Sequence, residues 1–80
     1  MNKNLIPLCQ LPVGSFGKVK YLTAEGSIHR RMLDLGLIDD TTVEALRKSP
    51  SGDPTAYEIR GAVIALRSEE ALKIFVETIH

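Results

Sequence analysis

Cys9, His29, Asp34, Asp39, Asp40 and His80 carry the side chains in this sequence most able to hold a divalent metal. Thiolate, imidazole and carboxylate are the usual ligands of zinc and divalent iron. Their spacing does not gather them. His29 and Asp34 lie five residues apart, which on a helix separates them by roughly 140°. His29 and Leu33, four apart, share a side, so His29 reads as a partly covered flank residue. Asp39 and Asp40 fall where the chain must change direction, and turn formation accounts for them without a metal. The residues alone define no ligand set.

Nucleophilic chemistry has equally little support. Cys9 sits between Leu8 and Leu11 with no cation adjacent in sequence to lower its pKa, and packing as a small hydrophobe is the expectation. No serine, threonine or cysteine nucleophile motif accompanies the two histidines, and no glycine-rich run matches a phosphate loop. An enzyme is not expected. Arg30 and Arg31 could reach phosphate, but a charged outer helix face is the commoner use of such a pair. Tyr57 and Phe75 could stack on bases only if they faced outward, whereas alternation places them among core positions. Ten Lys and Arg balance ten Asp and Glu, leaving no net charge to grip a nucleic acid.

The elements that must position these residues follow from periodicity. LCQLPVGSFGKVKYL predicts a turn and a first strand, with Val19 and Tyr21 alternating against Lys18 and Lys20. Ser27 is placed to cap a short helix, IHRRMLDL, whose apolar face comprises Ile28, Met32 and Leu35. Arg30 and Asp34 point away from that face. Gly36 stands where a left-handed residue ends a helix, with Leu37 folding back onto the last turn. A strand follows from Val43. KSPSGDPT forms a wide connector, and TAYEIR resumes alternation with Tyr57 and Ile59 on one face. The continuous apolar run AVIAL predicts a central strand. Ser68 is positioned to cap a helical turn near residues 69–72, and KIFVETI closes as a strand.

About five short strands with one helix after the first leave no room for crossover helices, so a small antiparallel barrel is the expected architecture. Eighty residues with 44% hydrophobic and 25% charged side chains make one folded domain, spanning 1–80. One cysteine fits a reducing compartment, so the cytoplasm is the expected location. The N-terminal MNKNLIPLCQLPVGSF lacks an uninterrupted apolar stretch of signal length, and no run reaches the ~20 apolar residues of a membrane span. No direct membrane insertion is expected.

RRMLDLGLIDDTTVEAL and SPSGDPTAYEIRGAVIALRSEEALKIFVE together resemble the ferrous-iron transport protein A family, FeoA, over nearly the whole chain. The shared features are the arginine-bearing helix running into Leu35–Leu37, the loop Gly52–Pro54, Gly61 after an alternating strand, Ala65–Arg67, and Glu70 with Ala71. The resemblance implies a mainly β, SH3-like barrel related to the C-terminal domain of iron-dependent repressors. It implies a cytoplasmic accessory, peripheral to the membrane, that binds or regulates the FeoB transporter through its cytoplasmic region. Arg30, Arg31 and Asp34 are then the candidate partner-binding residues. The alternative it raises is a metal-responsive module with a weak or regulatory site for Fe2+, to which no residue is assigned. Many FeoA members carry Pro-Gly where this chain has Asp39 and Asp40, so the turn type there is open.

Overall fold

The computed structural model describes residues 5–79. Six strands form one antiparallel sheet: β1 (Leu5–Pro7), β2 (Phe16–Leu22), β3 (Thr42–Lys48), β4 (Thr55–Ile59), β5 (Ala62–Leu66) and β6 (Ile74–Ile79). Their order across the sheet is β1-β6-β2-β3-β4-β5. Helix α1 (Gly26–Asp34) links β2 to β3, and the single turn α2 (Ser68–Ala71) links β5 to β6. The expected first strand is thus the second. β1 escapes a reading of alternation because three residues ending in proline show no period, and proline is tolerated at a sheet edge.

The core is drawn from every strand except β1. Val19, Val43, Ala45, Tyr57, Ile59, Leu66, Ile74 and Val76 are buried, joined by Leu8 and Leu11 from a 3-10 turn and its exit, and by Met32 and Leu37. Tyr57 and Ile59 share the inner face as the alternation predicts, and Cys9 packs half-buried against the same cluster.

Phe75 is not a core residue. Val19 pairs with Val76 and Tyr21 with Phe75, so Lys20 is an extra residue in β2. Such a bulge reverses which side chains face inward. The bulge turns Tyr21 outward, where it meets Phe75, itself outward between the buried Ile74 and Val76, with the rings stacked at 4.8 Å and 13°. A second irregularity in β3, where Leu46 is the extra residue between Ala45 and Arg47, likewise turns Arg47 outward.

AVIAL is an edge strand rather than a central one, since β5 pairs only with β4. The uninterrupted apolar run reflects small or branched side chains tolerated on an open face: Ala62, Val63 and Ala65 are exposed, and only Leu66 is buried.

Helix α1 also departs from expectation at its start. Glu25 occupies the cap position without a side-chain bond, and Ser27 lies inside the helix. Ile28 is 42% exposed while Met32 is buried, and Leu35 packs half-buried against the core. Ala24, just before the helix, is buried. The helix end matches the sequence reading. Gly36 has φ +97°, its N–H bonds the Leu33 carbonyl at 2.9 Å, and Leu37 N–H bonds the Met32 carbonyl at 3.1 Å. Those two bonds define a Schellman motif, and Leu37 and Met32 are both buried in the core cluster.

Candidate docking surface

Three outward side chains of α1 share one side of the helix, the charged Arg30 and Asp34 and the apolar Leu33, all exposed, while Ile28 is exposed on the Met32 side. A helix of nine residues is marginal alone, so this surface needs external bracing. Arg31 supplies it. Its guanidinium forms an ion pair with the Glu70 carboxylate of α2, joining two elements that are far apart in sequence. Arg31 is therefore committed within the chain and separates from Arg30 and Asp34, with which the sequence reading grouped it.

Glu70 is held from two sides. Its Oε1 accepts the Arg67 backbone N–H at 3.1 Å, closing the N-terminus of α2. Burial alone would raise its carboxyl, but hydrogen bonds from Arg31 and the Arg67 amide hold it below the usual carboxylate value. The same helix end is capped from the β3–β4 connector, where Asp53 Oδ1 accepts the Ser68 N–H at 2.8 Å. Ser68, expected to cap this turn with its own hydroxyl, instead presents its amide to Asp53. Ser49 and Ser51 hydroxyls bond the Asp53 carbonyl at 2.8 and 3.0 Å and hold the connector in place.

At the other end of α1, the corner carrying Asp39 and Asp40 is a turn, closed by Thr41 N–H on the Ile38 carbonyl at 3.0 Å. Asp40 adopts φ 69°, the left-handed geometry that aspartate tolerates better than most residues. Its N–H bonds the Val19 carbonyl at 2.7 Å and its carboxylate takes the Lys20 ammonium at 2.9 Å. That hydrogen bond lowers the Asp40 carboxyl and raises Lys20. The turn is thus fastened to the bulge of β2.

The metal-seeking residues remain apart. Among the described residues no group of three His, Cys, Asp or Glu side chains is arranged to hold an ion, and His80 lies outside them. His29 is half-buried and its Nδ1–H donates to the Ala24 carbonyl at 3.0 Å, a bond that secures the entry to α1.

Sequence reasoning missed a second surface altogether. On the outer face of the sheet, Phe16, Thr42, Glu44, Glu58, Arg60 and Gly61 line a shallow groove of ≈ 270 Å³. Phe16 stands opposite Glu44, Glu44 opposite Glu58, and Glu58 opposite Val63, a row crossing four strands. Two carboxylates directly opposite each other weaken a sheet rather than stabilise it. The outward positions of each strand carried that information, but their register did not show in the sequence.

Short antiparallel strands, one inserted helix and an apolar interior define a small SH3-like β-domain. The family model described as FeoA domain matches residues 6–78, and the chain belongs to that family. It is 31% identical over 72 residues to a protein of Porphyromonas gingivalis described as an Fe(2+) transport protein A/Fe(2+) transporter FeoB fusion protein. The match covers 90% of this chain and 8% of that protein's length. Among solved structures, a FeoA-like protein from Clostridium acetobutylicum superposes with TM-score 0.89 at 34% identity, covering 100% of this chain and 92% of that one. Stenotrophomonas maltophilia FeoA, solved with zinc and described as an SH3 domain protein, gives 0.79 at 28% identity over 88% of this chain and 87% of its own. The fold extends to a manganese-dependent transcriptional repressor, at TM-score 0.85 and 20% identity over 99% of this chain and 44% of that one.

Proposed function

We propose that this chain is a cytoplasmic accessory of a ferrous-iron transport system, binding a FeoB-type transporter's cytoplasmic region and catalysing nothing itself. The supporting observation is the fused relative, in which a FeoA unit and FeoB share one polypeptide. Fusion holds two modules at high effective concentration, which favours surface contacts between them. Among the described residues no helix is long and apolar enough to cross a membrane, so contact with the transporter falls to the domain's surface.

The α1 patch suits that role. Arg30 and Asp34 offer charges of both signs beside exposed Leu33, the mixture of apolar contact and polar rim usual in protein interfaces. Arg31 acts indirectly, by holding α1 against α2. Titrating isotopically labelled protein with the cytoplasmic region of FeoB, loaded separately with GTP and GDP, tests the reading. Shifts concentrated in residues 26–35, weakened by Arg30→Glu without loss of folding, are expected. Absence of binding in both nucleotide states and to the intact transporter would reject it.

A further inference from the structure

Among the described residues β5 ends the sheet, with β4 on one side of it and no strand on the other. An edge strand offers half of its N–H and C=O groups to any extended chain, and proteins usually guard such edges with charge, proline or shortness. The opposite edge is guarded, because β1 has three residues and ends in Pro7. β5 is not. Its five residues, AVIAL, include no charge and no proline. Val63 is 60% exposed, the most exposed large hydrophobic side chain among the described residues. Beyond its ladder with β4, no β5 backbone group has a hydrogen-bond partner among them.

The charges at its ends indicate what fits. Arg60 precedes the strand, Arg67 follows it, both are exposed, and neither is in an ion pair among the described residues. Glu58 lies one strand further in, behind Val63. If two copies paired antiparallel along β5, the Arg60 end of each would approach the Arg67 end of the other, and like charges so placed repel. A second copy is therefore a poor occupant, and a strand with acidic ends is a good one.

We propose that β5 is a strand-docking edge that takes an extended segment of a partner protein, with branched apolar side chains at alternate positions and acidic residues at both ends. Main-chain bonds would provide the affinity and the two arginines the preference among strands. This goes beyond the transporter reading and uses a different face, so variants of α1 leave it untouched.

The probe is a synthetic peptide with a Val-Thr-Val-Thr-Val centre flanked by glutamates, titrated into labelled protein. The amides of residues 62–66 should shift and become protected from hydrogen exchange. A lysine-flanked peptide of the same centre should bind roughly five- to tenfold more weakly, the scale of two exposed charge pairs reversed in sign. N-methylating one alternate set of peptide amides should abolish binding, and methylating the other set should not. Three results would overturn the proposal: no shift in residues 62–66 at millimolar peptide, equal binding of both peptides, or indifference to N-methylation. Shifts of these amides with protein concentration alone would also overturn it, in favour of self-pairing.

Discussion

Arg31 in α1 and Glu70 in α2 form an ion pair across a sequence separation of 39 residues, binding the only two α-helical elements among the described residues to each other. The pair is half in water: the Arg31 side chain is 51% exposed and that of Glu70 23%. Its consequence is mechanical more than energetic. The outer face of a short helix is held in one orientation, which is what a docking surface requires of its support.

Removing either partner should cost little stability. Arg31→Ala and Glu70→Ala, combined in a double-mutant cycle, should give a coupling of about 0.3 to 1 kcal/mol, the range for partly exposed pairs. The pH dependence has a definite sign. Glu70 is lowered in the folded state from the usual 4.5, so its contribution is present above that value and lost as pH falls through the folded pKa. Arg31→Ala should flatten the acid limb of a denaturation midpoint plotted against pH. If wild type and variant stay parallel down to pH 3, the pair does not couple to folding.

Gly36→Ala should destabilise the domain by about 1 to 2 kcal/mol, because φ +97° places a β-carbon in an unfavourable backbone region. A second contribution is separable. An added β-carbon would lie 2.7 Å from Cδ of Arg60, the flexible middle of an exposed side chain that can move aside. Adding Arg60→Ala to Gly36→Ala should therefore restore little of the loss. Recovery of most of it in urea denaturation would show that the contact, and not the backbone, sets the requirement for glycine.

How much of this was visible in the sequence varies with the physics of each element. The Schellman end of α1 was readable because Gly36 and Leu37 satisfy a local rule that needs no knowledge of the rest of the chain. The inward set Tyr57 and Ile59 was readable for the same reason, an unbroken period of two. Phe75 was misplaced although its own strand alternates regularly, with Ile74 and Val76 inward on either side of it; it is Tyr21 whose orientation depends on an inserted residue, Lys20. AVIAL looked central because hydrophobicity reports a preference for burial, whereas edge position depends on which strands exist to cover it. Arg31 was grouped with Arg30 because adjacency in sequence does not say which arginine meets Glu70.

Thr78→Val should stabilise the protein. The Thr78 hydroxyl is buried and has no hydrogen-bond partner among the described residues, and an unsatisfied buried polar group costs about 1 to 3 kcal/mol. Valine has nearly the same shape and a higher preference for strands, so packing in β6 is kept. A raised thermal midpoint for Thr78→Val, beside a lowered one for Thr78→Ala, is the expected pair of results. A fall in both would mean that the hydroxyl is bonded to water.

Asp40 separates backbone geometry from charge at the corner between α1 and β3. Its φ of 69° favours glycine, then asparagine and aspartate, over alanine. Its carboxylate adds an exposed ion pair with Lys20, which salt weakens. In 1 M salt, a condition with a Debye length of about 3 Å, the order of stability should be Gly at least equal to Asn and Asp, with Ala lowest. At low salt Asp should gain on Asn, and the gain should fade as pH drops through the lowered carboxyl pKa of Asp40. Denaturation midpoints for Asp40→Gly, Asp40→Asn and Asp40→Ala at both salt concentrations decide the matter. If alanine equals glycine in high salt, the left-handed turn is not what aspartate is there to provide. An ion pair that outweighs geometry would instead leave Asp above Gly only at low salt.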